Sequence, residues 1–113
     1  MYQDLIVVIV DKYLSEDVMR FAKSAGARGG TILHGRSIDL KSLKKVFNLS
    51  IEPEKEVVLI LSKEEDTDSI IKFIDEGLKK SFNHQGIILV LDVLSALGWG
   101  DFNERTFNSS NRR

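Results

Sequence analysis

The sequence predicts an α+β protein in which one antiparallel sheet carries two helices on one face, with the element order βαββαβ. Two observations lead to this prediction. Four short runs rich in β-branched and other aliphatic residues have the length and composition of strands. Two other segments, one after the first run and one after the third, repeat their apolar residues at helical spacing.

The first strand and the first helix are predicted between residues 5 and 26. Leu5 to Val10 (LIVVIV) is short and β-branched, as strands are. Ser15 is interpreted as a hydroxyl N-cap, because two acids follow it where the helix dipole favours them. The apolar stripe of this helix is Val18, Phe21, Ala22 and Ala25. Gly26 then occupies the position at which a left-handed residue commonly ends a helix.

The remaining elements follow the same two patterns. Gly30 to His34 and Glu56 to Leu61 (EVVLIL) are predicted as the second and third strands. Asp66 and Thr67 are predicted to cap the second helix, which ends in two lysines. Its apolar stripe is Ile70, Ile71, Ile74 and Leu78, and the closing lysines are Lys79 and Lys80. Ile87 to Leu94 (IILVLDVL) is predicted as the fourth strand.

This order is that of the ferredoxin-like fold, and residues 1–98 are predicted to form one such domain. The segment 35–53, between the second and third strands, is too long for a hairpin turn. A loop of that size within a small domain is commonly functional. The tail, residues 99–113, is polar, and we expect it to be flexible.

The composition limits the possible function classes. A formal net charge of -1 and a pI near 6.1 argue against nucleic-acid binding through a broad basic face. RNA-binding sheets with this strand order also need aromatic residues on the first and third strands, and LIVVIV and EVVLIL contain none. The chain has no cysteine, which excludes disulfides and thiolate sites. The amino-terminal apolar run is too short for a signal or a membrane span, so we expect a cytoplasmic protein.

The predicted strands are apolar at both odd and even positions, so both faces of the sheet are expected to be apolar. This pattern bears on assembly. In the first strand, Leu5, Val7 and Ile9 alternate with Ile6, Val8 and Val10. Two helices cover one face of a sheet, so the other face needs a different cover. Burial of each large aliphatic side chain is worth roughly 1.5–3 kcal/mol. Another subunit is the simplest cover.

The glycines of "GARGGTILHGR" stand where the first helix passes into the second strand. Gly26 is explained as the end of the helix. Gly29 and Gly30 are not, and glycines of this kind often mark a place where a ligand approaches the backbone closely. The pattern matches neither a Walker P-loop nor a dinucleotide-binding fingerprint.

The span from Leu5 to Val93 resembles the P-II signalling family, the trimeric regulators of nitrogen metabolism. The resemblance lies in the element order and in three stretches: "AGARGGTILHGR", "EPEKEVVLIL" and "GIILVLDV". It implies a homotrimer, with ATP or ADP in clefts between subunits and a target protein bound through the long loop. It also implies that Gly29, Gly30 and Thr31 line the adenine-ribose side of the cleft, with Ile9 and Ile60 as its apolar wall.

The chain departs from the family at the phosphate end of that cleft. The family's G-x-G-K turn corresponds to His84, Gln85, Gly86 and Ile87, which lacks the lysine, and Gln85 and Gly86 remain as candidate contacts. The family's arginines after the last strand correspond to Gly98 and Gly100. Arg28 and Arg36 could supply the charge instead, or could be solvated surface residues. The loop also lacks the tyrosine that the family modifies and the glutamine used around magnesium and 2-oxoglutarate.

Within the loop, a short basic amphipathic helix is predicted. Its apolar residues are Leu40, Leu43 and Phe47, and Lys41, Lys44 and Lys45 lie elsewhere on the turn. This segment either packs back on the trimer or docks a partner protein, and the sequence leaves both alternatives open.

Catalysis and metal binding are not expected. His34 and His84 lack the cysteine or carboxylate partners of a metal site. An acylphosphatase-like enzyme needs an arginine cradle after the first strand, and the chain has Asp11, Lys12 and Tyr13 there. The sequence thus favours a nucleotide-binding regulatory protein without catalytic cofactor. The alternative is a structural trimer with a vestigial cleft or a different small-molecule site.

Overall fold

Four strands and two helices follow one another in the predicted order. The structure, a computed structural model, describes residues 2–38 and 54–98. The strands are β1 (Asp4–Asp11), β2 (Thr31–Arg36), β3 (Glu54–Ser62) and β4 (Ile87–Asp92). The helices are α1 (Ser15–Ser24) and α2 (Glu64–Phe82). The predicted loop helix around Leu40 to Phe47 and the tail 99–113 lie outside the described residues.

The sheet has the order β2-β3-β1-β4, and every pairing is antiparallel. Both helices pack on one face, where their apolar stripes meet β1 and β3. The core consists of residues with 0–1% exposure from these four elements: Ile6, Val8, Val10, Val18, Ala22, Val58, Ile60, Ile70, Ile74 and Leu78. The predicted ferredoxin-like architecture is therefore confirmed.

The second face of the sheet, which we call the open face, is apolar as well. Directly paired residues of antiparallel strands share a face, and Val7 pairs with both Leu59 and Leu89. The open face consists of Leu5, Val7, Ile9, Thr31, Leu33, Val57, Leu59, Leu61, Ile87, Leu89 and Leu91. Four of its side chains, Leu33, Ile87, Leu89 and Leu91, are 47–55% exposed. Within residues 2–38 and 54–98, α1 and α2 leave this face uncovered.

Helix termini differ from the sequence prediction in how they are capped. The N-cap of α1 is Leu14, which makes no side-chain cap bond, and Ser15 is the first helical residue. α2 begins at Glu64, before the predicted Asp66, and its first N–H donates to the Gln3 side chain at 3.0 Å. Thr67 is buried and donates to Asp4 at 2.7 Å. Side chains distant in sequence thus accept from the first N–H groups of both helices: Gln3 at α2 and Glu56 at α1.

Two further boundaries complete the fold. α2 continues beyond its two lysines to Phe82 and ends on Asn83, which has a left-handed φ of 48°. β4 ends at Asp92, two residues before the predicted end, and Val93 then donates to the Gln3 carbonyl. Among the described residues, neither helix is long and apolar enough to cross a membrane.

Candidate functional site

The connection from α1 to β2 crosses the edge of the sheet. Gly26, with φ of 107°, ends the helix in the left-handed region, as predicted. The N–H groups of Gly26 and Ala27 bond back to the carbonyls of Lys23 and Ala22. The chain then runs along the end of β3 until pairing begins at Thr31, opposite Leu59. Residues 28–30 therefore lie beside β3 before β2 has started.

A cavity of about 270 Å³ lies between this crossing segment and the open face. We call it the glycine pocket. It is lined by Tyr2, Leu5, Arg28, Gly29, Gly30, Thr31, Leu59 and Leu61. The structure thus brings together four predicted site residues, Arg28 to Thr31, on one side of the cavity. Three leucines form the other side, and Arg28 carries the one charge among the residues that line it.

Gly29 and Gly30 are adjacent in the pocket, but a side chain would meet different surroundings at each position. A Cβ at Gly30 would lie 2.7 Å from the Met19 sulfur and 3.0 Å from the Leu59 carbonyl oxygen. Gly30 is therefore required for packing against α1 and β3, whether or not a ligand is present. A Cβ at Gly29 would meet nothing within 4 Å. Gly29 lines the pocket and has room for a side chain, so a substitution there changes the lining without crowding the fold.

The apolar wall of the pocket differs from the prediction at both residues. Ile9 lies on the open face, opposite Val57 and Ile87, and does not line the pocket. Ile60 is fully buried against the helices, on the opposite face from Ile9, so the prediction that Ile60 lines this cleft is wrong. Leu59 and Leu61, its neighbours in β3, line the pocket instead. The sequence placed Leu59 and Leu61 in a strand but did not indicate which face they occupy. Because EVVLIL is apolar at both parities, alternation could not decide which residues face the pocket.

Arg28 is held at the rim of the pocket by an aromatic residue from the amino terminus. The Arg28 guanidinium donates to the Tyr2 hydroxyl at 3.3 Å. Tyr2 is only 5% exposed, so its ring is a fixed support for the flexible arginine side chain. Sequence reasoning missed Tyr2, which lies outside every motif.

The other predicted nucleotide contacts lie elsewhere in the same chain. Arg36 is at the far end of β2, where it lines a separate surface cavity with Lys12 and His34. Gln85 and Gly86 precede β4, the opposite edge strand of the sheet. The packed neighbours of Gly86 are the Ile9 carbonyl and the Val10 side chain, each 3.0 Å from a Cβ built there. From strand dimensions, Gly86 is on the order of 15 Å from the glycine pocket.

The N-terminus of α1 is occupied by a carboxylate of the same chain. Glu56 of β3 is 5% exposed and accepts the Ser15 N–H at 3.0 Å. Hydrogen bonds from the Ser15 side chain, and from the backbone of Ser15 and Tyr13, hold the pKa of Glu56 below its usual value against the opposing effect of burial. Tyr13 adopts a positive φ of 76° in this turn. The position at which an acylphosphatase-like cradle would hold a phosphate is thus filled by Glu56.

Both histidines lie beside single carboxylates. The Nδ1 of His34 is 3.7 Å from Glu56, and that of His84 is 3.4 Å from Asp11. A hydrogen bond from Lys55 lowers the pKa of Asp11, with smaller effects from the charges of Lys55 and His84. Within residues 2–38 and 54–98, no group of three His, Cys, Asp or Glu side chains is arranged to hold a metal ion. The candidate partner contacts Leu40, Lys41, Leu43, Lys44 and Phe47 lie outside the described residues.

Comparison with known proteins finds similarity at the level of structure. No protein-family model and no curated protein matches the sequence. The P-II protein of Arabidopsis thaliana, solved with citrate bound, is 22% identical, with a TM-score of 0.65 over 93% of this chain and 92% of that chain. CPII of Thiomonas intermedia, a nitrogen regulatory P-II-like protein bound to ADP, AMP and bicarbonate, is 16% identical, with a TM-score of 0.61. That match covers 88% of this chain and 98% of CPII.

A third structure, described as a P-II-like signalling protein of Thermus thermophilus, is 18% identical, with a TM-score of 0.57. The match covers 80% of this chain and 86% of that one. All three similarities extend over most of both chains. The resemblance noted in the sequence is thereby confirmed for the fold: this chain has the fold of the P-II-like signalling proteins.

Proposed function

We propose that this protein is a divergent P-II-like regulatory protein that binds an adenine nucleotide, ATP, ADP or AMP, in the glycine pocket. The observation that carries the proposal is the pocket itself, at the edge of the open face in a chain of this fold. Its leucine side suits an apolar base, and the Thr31 hydroxyl and the backbone at Gly29 suit the ribose. Arg28, the charged residue of the pocket lining, suits a phosphate.

The complete site is proposed to form between two subunits of a homotrimer. Arg28 to Thr31 stand at the start of one edge strand and Gln85–Gly86 directly precede the other, so one chain does not bring them to a single small ligand. Packing of a second chain against the open face would join the two edges and bury its exposed leucines. In the relative CPII, ADP and AMP are bound, which supports this class of ligand.

The nucleotide is proposed to act as an effector that changes binding to a target protein, without catalysis. Residues 35–53 follow the strand that begins at the glycine pocket, and their lysines and apolar residues suit protein docking. The target is proposed to be a protein such as a transporter or an enzyme of nitrogen metabolism, in the cytoplasm or at its membrane. No nucleic-acid partner is proposed.

Calorimetry with AMP, ADP and ATP tests the nucleotide site, and light scattering tests the trimer. Because the family's lysine and arginines are replaced, we expect the three affinities to agree within about tenfold, a difference of about 1.4 kcal/mol. If ATP binds more than tenfold more tightly than AMP, the prediction that this chain lacks strong contacts to the terminal phosphates is wrong. An intact trimer that binds none of them would favour the structural alternative, with a vestigial or different small-molecule site.

A matched pair of variants locates the site. Gly29→Val places a side chain in the glycine pocket, and we expect it to abolish nucleotide binding while the protein stays folded. Gly35→Val makes the same change in β2, outside the pocket, where a Cβ also meets nothing within 4 Å. This control should bind normally. Equal binding by both variants would place the nucleotide elsewhere.

A further inference from the structure

A second cavity adjoins the glycine pocket on the other side of Arg28. Its volume is also about 270 Å³, and Tyr2, Arg28 and Leu61 line both cavities. The second cavity, which we call the charged pocket, lies between the end of α1 and the start of α2. Arg28, Lys63 and Asp66 are its charged lining residues. The two cavities therefore meet at one arginine.

The linings of the two cavities are chemically different. The glycine pocket presents leucines, backbone and a threonine, with Arg28 as its charge. The charged pocket presents two cations and one carboxylate. A ligand that fills both must have an apolar end and an end that carries charges of both signs.

Two of the charges in the charged pocket, those of Lys63 and Asp66, are separate from each other. Across residues 2–38 and 54–98, Lys63 and Asp66 form no ion pair with one another. The Lys63 ammonium instead lies 6.0 Å from the centre of the Tyr2 ring. Asp66 also belongs to the first turn of α2, where the helix dipole favours an acid. Of the three acids in that first turn, Asp66 is the one that lines the pocket.

We propose that the two cavities form one site for a nucleoside that carries an amino-acid group. This inference rests on the proposed nucleotide site. The base occupies the glycine pocket, and the α-carboxylate pairs with Arg28 and Lys63, while the α-ammonium pairs with Asp66. The linker between the nucleoside and the amino-acid group passes Arg28. Because the guanidinium repels a positive charge, an uncharged thioether fits there better than a cationic sulfonium. A polyphosphate in the charged pocket would meet the Asp66 carboxylate and is disfavoured there.

Two adenosine thioethers test the proposal on the full-length protein. S-adenosylhomocysteine and 5′-methylthioadenosine share the nucleoside and the thioether sulfur, and only the first carries the amino-acid group. By calorimetry we expect S-adenosylhomocysteine to bind at least tenfold more tightly. Asp66→Asn should weaken its binding about tenfold, a difference of about 1.4 kcal/mol, and leave 5′-methylthioadenosine unchanged.

Asp68→Asn is the matched control, because it removes the same charge two residues later in α2. Asp68 faces a different cavity, beside Gly86 and Val90, and its variant should bind both compounds normally. Equal affinity for the two compounds, or equal effects of the two variants, would overturn the proposal. Binding of AMP without any advantage for S-adenosylhomocysteine would overturn it and leave the nucleotide site standing. If neither adenosine compound nor AMP binds, both proposals fail.

Discussion

The two faces of the sheet are built from the same residue types and differ in what covers them. Ile6 and Val8 on the helix-covered face are fully buried. Their sequence neighbours on the other face pair with leucines such as Leu89, which is 47% exposed. In the central strands β1 and β3, an apolar residue is therefore fully buried or partly exposed according to the face on which it lies. In the edge strands, Ile32 and Val90 lie on the helix-covered face and are still 36% and 46% exposed. The apolar composition indicates that both faces need to be buried. The helices of the same chain bury one face, and the other face needs a different cover.

We expect the two faces to differ most in how folding responds to a charged substitution. Val8→Asp puts a carboxylate into the core, where its desolvation costs several kcal/mol, and we expect the chain not to fold. Leu89→Asp puts the same charge on the open face, and the single chain should keep its secondary structure. Circular dichroism distinguishes these outcomes.

Light scattering completes this comparison. If the open face is the subunit interface, Leu89→Asp should give a folded protein of lower mass than the parent. A parent protein that is already a stable monomer would contradict the proposed trimer. Unfolding of the Leu89→Asp monomer would mean that the open face also supports the fold of each chain.

A smaller contrast is expected between the two adjacent glycines. Gly30→Ala should lower the free energy of unfolding by about 1–3 kcal/mol, because the Leu59 carbonyl oxygen leaves no room for a Cβ. Gly29→Ala should leave stability nearly unchanged, since its Cβ reaches open space. Denaturant unfolding at one fixed protein concentration measures both. Equal stabilities would mean that the crossing segment shifts to accommodate either change.

Two carboxylates with lowered pKa provide a contrast in pH dependence. Glu56→Gln removes the buried charge that receives the N–H groups at the start of α1 and should cost about 1–2 kcal/mol near neutral pH. Because folding lowers the pKa of Glu56, its contribution is present above the pKa of the unfolded chain. It is lost as the pH falls through the folded-state pKa, so parent and variant should converge in acid.

Asp11→Asn is the control for this pH effect, at the end of β1. The pKa of Asp11 is lowered mainly by its hydrogen bond from Lys55, but its side chain is about half exposed. Surface pairs of this kind contribute little to stability. Unfolding curves from pH 3 to 7 should therefore change much less for Asp11→Asn than for Glu56→Gln. A parallel offset for Glu56→Gln at every pH would show that its role is packing and not charge.

The smallest expected effect is coupling between the pocket and the loop. β2 joins Thr31 in the glycine pocket to Arg36, and its last two residues are the first two of the segment 35–53. We expect adenine nucleotide to change amide hydrogen exchange in residues 35–53 while α2 stays constant. The coupling should be about 1 kcal/mol, at the low end of the usual range for linked sites. Identical exchange with and without nucleotide would leave the loop without a demonstrated signalling role.

The sequence by itself determined the identity and order of the elements. The β-branched runs and the helical stripes predicted each strand and helix, and Gly26 ended α1 as expected. These features are local, because helix spacing and helix termination depend on residues within one or two turns. The double apolar pattern also indicated that a second face of the sheet needs a cover.

Tertiary structure decided the features that depend on distant residues. Ser15 was a plausible cap by its own chemistry, but Glu56, 41 residues away, fills that role. Gln3 and Glu64 meet across 61 residues at the start of α2. Ile60 and Leu59 are equivalent by composition, and only the pairing of β3 with β1 assigns one to the core and the other to the pocket. A strand that is apolar at both parities carries no local signal for its orientation, so the packed helices determine which side chains remain available to a ligand.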